Sequence, residues 1–539
     1  MVIHSPLPSI DIPQVGLVQF LFSNINNVPE DRELLIDAET GKSLTFAAIK
    51  DNILRFAAGL QDKCQFKKGD VIAIFSPNQY DYPIPLLGTI AAGGSTTTAN
   101  PSYTTRELCH QLETTKAKVI IAHESNIKIA KEAANKVGIS HIFVFGDEAV
   151  DGIVPFTQAL FSDRRIILEE ITPEEAKETV TYLCFSSGTT GKSKGVMTTH
   201  TNIIANICQY TALDGKHLNG KHDRIIAAAP LFHIMGLVLM AHVPIYLGVP
   251  VYVMTRFSLP QFLETVQNRK ITYTVVAPPV ILLLAKDPIV NNYDLSSLRL
   301  IVSGAAPLGA EISTQAKQRV PTMVVKQGYG TTETSACVFI QPTERIINGS
   351  AGILLPNMVV KIVDEEGKEV KQGERGELLV KGPNVMKGYI NNPEATAACL
   401  DAEGYYHTGD VTVQDENGHF FIVDRIKELI KYKGFQVPPA ELEALLLKSD
   451  IIADCAVIGV YDPQQATEIP QGCIVLKPGV PATKETAESI KKYIAGLVVY
   501  YKQIRRITFV REIPKNPSGK ILRRILRESI KTEAPKARL

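Results

Sequence analysis

The sequence predicts an α/β protein with a large N-terminal domain of parallel-rich sheets covered by helices, a barrel-like subdomain and a small C-terminal α+β domain. Three observations support this prediction. The chain has 539 residues, which is too long for a single hydrophobic core. From about residue 30 to 330, short apolar runs alternate with helical patterns, which is typical of parallel sheets covered by helices. From about residue 350, strand patterns joined by tight polar turns indicate antiparallel or barrel-like structure.

The alternation of strands and helices is clearest in the first half of the chain. "DVIAIFS" (70–76) predicts a buried strand, and the amphipathic pattern of 80–94 follows it. Thr104 and Glu107 predict a capping box at the start of a helix that precedes the strand "AKVIIAHE" (117–124). Further strands are predicted by four short β-rich runs: "RIIAAAP", "VPVYVM", "ITYTVVAP" and "LRLIVSG".

Residues 225–254 form the most apolar stretch and predict a buried strand, helix and strand. The uninterrupted pieces are too short to cross a bilayer, being separated by Pro230, His233, His242, Pro244 and Pro250. The N-terminus lacks the basic start and apolar core of a signal peptide. We therefore expect no transmembrane segment.

The pattern changes in the last third of the chain. "VVKIVDEEGKEV" (359–370) and "GHFFIVDR" (418–425) predict strands with tight polar turns. From 438 to 510 the pattern predicts helix, strand, strand, helix and strand, a compact α+β segment. We place the boundary at 424–428, which predicts an N-terminal domain of residues 1–424 and a C-terminal domain of residues 425–539.

Charge and cysteine content argue against several classes of protein. Lys and Arg number 57 against 56 Asp and Glu, so no bulk field attracts nucleic acid or an anionic membrane. The eight cysteines are never closer than 18 residues, so there is no CxxC pair of a zinc ribbon or a thioredoxin-like motif. Scattered thiols in a long chain fit a reducing compartment.

"FSSGTTGKSKG" (185–195) contains half of a P-loop. Gly191-Lys192-Ser193 matches the end of that pattern, but Ser186 stands where its first glycine should be. Hydroxyls, glycines and the nearby Lys194 could still surround a phosphate, although an ordinary polar turn is the alternative. A P-loop kinase or ATPase would also need a Walker-B aspartate, for which the sequence offers no persuasive candidate.

Two further motifs contain candidate nucleotide ligands. In "QGYGTTE" (327–333), Thr331 and Thr332 could bind phosphate oxygens and Glu333 could hold Mg²⁺. "YYHTGD" (405–410) ends in Asp410, which could accept both ribose hydroxyls. Taken singly, the first motif could be only a turn before a helix and the second an exposed turn aspartate.

Two basic segments complete the set of five motifs. "DRIKELIKYKGFQVPPAELE" brings four basic residues to the domain junction: Arg425, Lys427, Lys431 and Lys433. "PKNPSGKILRR" places Lys520 in a Pro/Gly-rich loop. A solvated helix end and a soluble surface lysine are the simpler explanations. One such motif is weak evidence, but five in this order are strong evidence.

In this order the five motifs resemble those of the adenylate-forming acyl-CoA synthetases, AMP-forming ligases that include firefly luciferase. The resemblance covers roughly residues 30–530 and is strongest to the 4-coumarate:CoA ligase-like branch, through "SSGTTGKSKGV", "PLFHIMG", "SGAAPLG", "QGYGTTE", "YYHTGD" and "IKYKGFQVPPAELE". The Ser186 loop then corresponds to the family's pyrophosphate loop. Lys192-Ser193 departs from the family, in which an apolar residue and proline are usual, whereas Lys194-Gly195 is kept.

The resemblance implies an acid–thiol ligase with ATP and coenzyme A as co-substrates and Mg²⁺ as cofactor. Lys520 would bridge the substrate carboxylate and the α-phosphate, Thr332 would contact the α-phosphate, and Glu333 would bind Mg²⁺. Asp410 and Arg425 would bind the ribose. The remaining residues implied for ATP are Ser186, Ser187, Gly188, Thr189, Thr190 and Lys194 in the phosphate loop, with Ala305, Gln327 and Gly328 lining the adenine and acyl sites.

The second half-reaction implies a separate set of residues. In isolation His233 would be a core histidine, but the match to "PLFHIMG" makes it a gate between acyl pocket and thiol. Lys431 and Gln436 would reach the adenylate, and coenzyme A would meet Arg256, Lys433 and Gly434. Lys427 corresponds to the hinge of a mobile C-terminal domain, which must rotate because Lys520 and the coenzyme A face cannot occupy one site together.

Met235 and Leu239 stand where ligases that prefer hydroxycinnamates tend to present polar side chains. A phenolic hydroxyl without a partner in a buried site costs roughly 1–3 kcal/mol. The sequence therefore favours a cinnamate-like, phenylacetate-like or medium-chain fatty acid over 4-coumarate. The open alternatives are a medium- or long-chain fatty acyl-CoA synthetase, a luciferase-like oxidase, a carrier-loading enzyme, a ligand-binding relative without catalysis and, from another class, a P-loop kinase or ATPase.

The chain ends in Ala537-Arg538-Leu539, a conservative variant of the Ser-Lys-Leu peroxisomal signal. By average residue usage, chance gives such an ending in well under about 1% of proteins. A ligase in peroxisomes would feed β-oxidation of acyl-CoA thioesters. We therefore expect recognition by the peroxisomal import receptor, and a cytoplasmic location otherwise.

Overall fold

The structure of the protein is a computed structural model. It describes residues 2–186, 193–433, 435–462, 465, 467–517 and 519–533. Ser187, Gly188, Thr189, Thr190, Gly434 and the Ala537-Arg538-Leu539 tail, which the sequence analysis singled out, lie outside these ranges.

Two parallel-rich sheets make up most of the N-terminal part. Neighbouring strands of the first sheet are β19 (Gly388–Tyr389), β9 (Lys194–Thr199), β8 (Val180–Ser186), β5 (Ser95–Ala99), β4 (Val71–Phe75), β6 (Ala117–Ala122) and β7 (His141–Val144). Those of the second sheet are β16 (Ile353–Leu354), β15 (Phe339–Ile340), β14 (Val324–Tyr329), β13 (Leu300–Ser303), β12 (Tyr273–Val276), β10 (Ile225–Ala227), β11 (Val251–Val253), β2 (Glu33–Asp37) and β3 (Ser43–Thr45). The central strands of both are parallel, as the alternating pattern predicts.

An antiparallel sheet follows the second parallel sheet along the chain. Its strands lie in the order β1 (Ile3–His4), β17 (Val359–Val363), β18 (Gly376–Lys381), β20 (Tyr406–Gln414) and β21 (Phe420–Arg425). The C-terminal part contains the hairpin β22 (Ile430–Tyr432) and β23 (Phe435–Val437), and a sheet of β24 (Ile452–Asp462), β25 (Thr467–Leu476) and β26 (Arg506–Phe509). This arrangement confirms the predicted fold class.

Helices cover both faces of the parallel sheets. In chain order the helices are α1 (Leu17–Leu21), α2 (Phe46–Cys64), α3 (Pro83–Ala91), α4 (Thr105–Thr115), α5 (Ile127–Val137), α6 (Phe156–Leu160), α7 (Pro173–Glu178), α8 (His200–Asp214), α9 (Ile234–Gly236), α10 (Val243–Leu247), α11 (Leu259–Arg269), α12 (Pro278–Lys286), α13 (Ala310–Arg319), α14 (Pro393–Ala397), α15 (Pro439–Leu446), α16 (Lys484–Ala495) and α17 (Arg523–Glu533). The capping box of Thr104 and Glu107 is present at the start of α4, as predicted.

The apolar stretch 225–254 folds as predicted, into a strand, a helical segment and a strand. A π-helical turn, Leu237–His242, joins α9 to α10 between β10 and β11. Leu237, Met240 and Ile245 of this segment are buried in the main hydrophobic core, which also contains side chains of both parallel sheets. Among the described helices, none is both long enough and apolar enough to span a bilayer.

Candidate active site

Two of the predicted nucleotide motifs lie at the carboxyl ends of strands with parallel partners, β8 and β14, the position where open α/β sheets bind ligands. Ser186 ends β8 and pairs with Lys194 at the start of β9. "QGYGTTE" begins in β14 and continues into a short 3₁₀ turn, Thr332–Thr334. Within the described part of the chain, the buried Ser186 hydroxyl has no hydrogen-bond partner. An unpaired buried hydroxyl at this position is available to a ligand.

Glu333 and Lys194 are joined through Tyr389, which the sequence analysis missed. The Tyr389 hydroxyl donates to Glu333 Oε1 at 2.8 Å, and Lys194 Nζ lies 4.2 Å from the centroid of the Tyr389 ring. Desolvation, followed by the nearby Glu333 carboxylate, holds the pKa of Tyr389 well above its ordinary value. Tyr389 therefore remains a donor, and it fixes one oxygen of the candidate metal ligand.

Asp410 and Arg425 face each other across β20 and β21, where they are register partners. Arg425 Nε lies 3.1 Å from Asp410 Oδ1, and the Tyr329 hydroxyl donates to Oδ2 at 2.6 Å. Asp410 is only 2% exposed, so it is not the exposed turn aspartate of the alternative explanation. Burial raises its pKa, and Arg425 opposes that rise by favouring the carboxylate.

Lys520 lies within electrostatic range of both residues, on a loop held against the N-terminal part. Its backbone N–H donates to Asn516 Oδ1 at 2.8 Å. Gly519 has φ +81°, and a Cβ there would lie 2.8 Å from Ala277 Cβ, so only glycine lets the loop approach α12 this closely. Desolvation, and next the charge of Arg425, lowers the pKa of Lys520 to about 8. The cation is therefore half-buried and partly desolvated rather than a fully solvated surface lysine.

His233 precedes α9, and desolvation lowers its pKa to about 4, with a smaller effect of Lys520. The ring is therefore neutral near pH 7. Two buried side chains that the sequence analysis missed hold the preceding main chain. Asn78 donates to Ala229 O at 3.0 Å and accepts from Leu231 N at 2.7 Å, while the Thr98 hydroxyl donates to the Phe232 carbonyl at 2.7 Å.

Met235 and Leu239 are both buried on the helical segment after His233. A Cβ at Gly304 would lie 2.8 Å from Met235 Sδ, so the loop after β13 packs directly on this side chain. In the π-helical turn, His242 contacts the Leu237 carbonyl through Nδ1 and the Tyr182 hydroxyl through Nε2, each at 2.6 Å. Because Tyr182 belongs to β8, the helical segment that contains Met235 and Leu239 is tied to the strand that ends at Ser186.

Ala305, Gln327 and Gly328 lie around the same loop after β13. Ala305 has φ +69°, a left-handed conformation that is uncommon outside glycine. Gln327 Oε1 accepts from Leu308 N at 2.9 Å, which ties β14 to this loop. Gly328 pairs with Ile340 in the neighbouring strand.

Four of the residues implied for the second half-reaction lie elsewhere, on exposed surface. Lys431, Lys433 and Gln436 are exposed on the β22–β23 hairpin, and Gln436 Nε2 donates to Glu365 Oε1 at 2.7 Å. Arg256 is exposed and donates to Ser125 Oγ at 3.2 Å.

Lys427 lies in an exposed turn directly after β21. The basic segment 425–433 therefore forms a strand end, a turn and a hairpin, and the helix end considered in the sequence analysis is wrong.

Comparison with known families agrees with this arrangement of motifs. Residues 21–390 match the family described as AMP-binding enzyme, and residues 441–520 match the AMP-binding enzyme C-terminal domain. 4-Coumarate–CoA ligase 1 of Petroselinum crispum is 38% identical over 538 residues, covering 98% of this chain and 97% of that protein. 4-Coumarate–CoA ligase 3 of Oryza sativa subsp. japonica is also 38% identical, covering 100% of this chain and 96% of that protein.

Solved structures share the whole architecture. ATP-bound MatB from Rhodopseudomonas palustris is 26% identical, with a TM-score of 0.85 over 96% of this chain and 99% of that chain. The apo form of MatB matches with a TM-score of 0.75 over the same shares. The anthranilate CoA ligase AuaEII in complex with anthranoyl-AMP, at 24% identity, shares the fold with a TM-score of 0.87 over 98% of this chain and 99% of that chain.

Proposed function

The chain belongs to the AMP-binding enzyme family, and we propose that it is an ATP-dependent acyl-CoA ligase. In the first step, a carboxylate oxygen attacks the α-phosphorus of ATP and the bond to the bridging oxygen breaks, which yields an acyl-adenylate and diphosphate. In the second step, the sulfur of coenzyme A attacks the acyl carbon, the thiol proton is released and AMP leaves. The first step is needed because oxide is not a competent leaving group at neutral pH, whereas AMP is.

The buried Asp410 carboxylate, 3.1 Å from Arg425 Nε and within electrostatic range of Lys520, is the observation that carries this proposal. Negative charge concentrates where the carboxylate meets the α-phosphate, and a desolvated cation stabilises such charge more strongly than a solvated one. Asp410, with Arg425 beside it, would accept hydrogen bonds from the ribose hydroxyls. Thr332, at the start of the 3₁₀ turn, would contact the α-phosphate.

Glu333 would hold Mg²⁺ together with the phosphates of ATP. Mg²⁺ in nucleotide sites is commonly bound by one or two carboxylates plus substrate phosphates. The described residues contain no group of three or more His, Cys, Asp or Glu side chains that could hold a metal by themselves. Glu333 therefore fits a site in which one protein carboxylate and the phosphates of ATP hold the ion together. A bound ion would supply positive charge near the diphosphate leaving group.

The second step would use a separate set of residues. Lys433, Gly434 and Arg256 would bind coenzyme A, and Lys431 and Gln436 would reach the adenylate after rotation about Lys427. The match to ATP-bound MatB exceeds that to apo MatB, which supports assigning the present arrangement to the adenylating step. Neutral His233 would lie between the acyl pocket and the entering thiol.

For the acid, we propose a cinnamate-like, phenylacetate-like or medium-chain fatty substrate. The buried, apolar Met235 and Leu239 support this choice, because they offer no partner to a phenolic hydroxyl. Because similar proteins are named 4-coumarate–CoA ligases, 4-coumarate is the competing candidate substrate.

One experiment tests the activity and the substrate together. Diphosphate and AMP release would be measured against a panel of aryl and fatty acids, with and without coenzyme A. We expect acid-dependent diphosphate release without coenzyme A, and acyl-CoA with AMP when it is added. ADP as the nucleotide product would contradict the proposal and favour a kinase or ATPase.

The peroxisomal location stays a prediction, since Ala537-Arg538-Leu539 lies outside the described residues. A fluorescent protein fused to the N-terminus should appear in punctate organelles, and deletion of these three residues should disperse it. Diffuse signal from the intact chain would contradict recognition by the import receptor without affecting the enzymology.

A further inference from the structure

Asp424 is a buried carboxylate on the N-terminal side of the candidate hinge, and no step of the proposed reaction uses it. It is 7% exposed and lies one residue before Arg425 at the end of β21. Its Oδ1 accepts from the Arg425 backbone N–H at 2.8 Å. Its Oδ2 accepts from the Ala440 backbone N–H at 3.0 Å, across 16 residues of chain and beyond Lys427.

The helix that receives this contact has no cap of its own. α15 begins after Pro438, which makes no side-chain capping bond, and its first residue is Pro439, which has no N–H. Ala440 therefore carries the first free amide of the helix, the position that an N-cap side chain normally bonds. Asp424 supplies that cap from the other side of the hinge, and its negative charge lies at the positive end of the helix.

The capped helix is connected to Lys520 through a second buried pair. Arg523 Nη2 donates to both carboxylate oxygens of Glu443 on α15, at 2.7 and 2.8 Å. Arg523 is three residues from Lys520. Burial raises the pKa of Asp424 to about 6, while the bond from the Ala440 N–H and the charge of Arg523 favour its carboxylate form. The position of α15 against Asp424 therefore helps to set where the Lys520 loop lies relative to Asp410.

We propose that Asp424 is a positioning residue that latches the small domain in the adenylating arrangement. Rotation about Lys427 would carry Ala440 away from Asp424, so the bond exists in only one of the two arrangements. An interaction that forms in only one of two arrangements shifts the equilibrium toward that arrangement by the free energy of the interaction. This inference rests on the proposed function, because it assigns the present arrangement to the first half-reaction.

The latch makes a quantitative prediction about the two half-reactions. If diphosphate release requires the latched arrangement and thioester formation requires the rotated one, the ratio of the two rates is proportional to the ratio of the two populations. Asp424→Ala should lower that ratio about five- to tenfold, the scale expected for losing one helix-capping carboxylate. Asp424→Asn, which keeps the shape and one acceptor oxygen, should lower the ratio less.

The experiment measures diphosphate release without coenzyme A, and thioester formation from supplied acyl-adenylate, in the full-length enzyme. Asp454→Asn is the matched control, because Asp454 also accepts from the next backbone N–H and pairs with Lys515, yet both partners lie on the C-terminal side of the hinge. The control should leave the ratio unchanged. An unchanged ratio in both Asp424 variants of an active ligase would overturn the latch.

A second measurement does not depend on activity. Glu365→Cys with Gln436→Cys replaces the hydrogen-bonded pair that joins the β17–β18 turn to the hairpin. A short bismaleimide should join these cysteines, and adding Asp424→Ala should slow the cross-link severalfold. If the wild type released no diphosphate with any acid, the proposed function would fail, and this rate would still decide whether Asp424 holds the two parts together.

Discussion

Burial determines the charge states of two residues in this site. Lys520 and His233 both lose water, and desolvation lowers the pKa of each. A pKa of about 8 leaves Lys520 mostly charged near pH 7, whereas a pKa of about 4 leaves His233 neutral. The site therefore combines the cations of Lys520 and Arg425 with the neutral imidazole of His233. A cation stabilises the negative charge that concentrates when a carboxylate attacks a phosphate. A neutral imidazole does not repel that cation.

The first prediction concerns the pH dependence of adenylation. Because Lys520 is charged only below its pKa, kcat/KM for diphosphate release without coenzyme A should fall as the pH rises through about 8. Lys520→Arg should keep its charge and lose this alkaline fall. Lys520→Ala should abolish diphosphate release but largely retain thioester formation from supplied acyl-adenylate. Equal loss of both half-reactions would contradict the role of Lys520.

The second prediction concerns the fully buried ion pair of Lys326 and Asp214. Both side chains are 0% exposed, and Tyr273 also bonds Asp214 at 3.5 Å. Lys326→Met would leave an unpaired buried carboxylate and should cost about 3–5 kcal/mol of unfolding free energy. Lys326→Met with Asp214→Leu should cost less than Lys326→Met alone. Urea unfolding of both variants measures this difference, and a double variant at least as destabilised as Lys326→Met would show that the pair is not coupled.

Individual contacts were the least predictable part of the site. The motifs identified Glu333 and Asp410, but the hydroxyls that orient them come from Tyr389, 56 residues later, and Tyr329, 81 residues earlier. Tyr329 lies inside "QGYGTTE", so the motif itself contains a signal for this contact. Asn78 and Thr98 had no comparable signal, because their bonds to 229–232 exist only after the chain has folded.

Secondary structure elements followed the local pattern closely. The strand "DVIAIFS", the capping box of Thr104 and the interrupted apolar stretch 225–254 all form as predicted, because apolar periodicity, caps and prolines act over a few residues. The exception is 425–433, where the density of basic residues suggested a helix end. Lys431 instead pairs with Gln436 in a hairpin, since alternate Ile430 and Tyr432 face the C-terminal core.

The third prediction concerns the helical segment that carries Met235 and Leu239. If these side chains face the distal end of the acid, Met235→Tyr with Leu239→Ser should supply a polar partner and shift preference toward 4-coumarate. One hydrogen bond in a buried site is worth about 1 kcal/mol, or roughly fivefold in relative kcat/KM for 4-coumarate over cinnamate. An unchanged ratio would mean that this segment does not line the pocket.

At the scale of the whole molecule, the order of the motifs predicted the fold, but nothing in the sequence predicted how the two domains are oriented. Five motifs in sequence identified a fold that the comparisons confirm over nearly the full chain. Two features depend on how the C-terminal part packs: the electrostatic interaction of Lys520 with Asp410, and the exposure of Lys433. That packing rests on contacts such as Gly519 on Ala277, between segments far apart in the sequence. The boundary between residues 424 and 425 stays a prediction.

The last prediction tests the rotation itself. Proline fixes φ, so Lys427→Pro should hold the chain in one arrangement. Because Lys520 now lies in the site, we expect diphosphate release to survive and thioester formation from supplied acyl-adenylate to fall by at least about tenfold. Lys427→Ala, which keeps φ free, is the control and should retain both half-reactions. With rotation blocked, adding Asp424→Ala should change diphosphate release much less than it does in the parent enzyme. Normal overall turnover by the proline variant would place the hinge elsewhere.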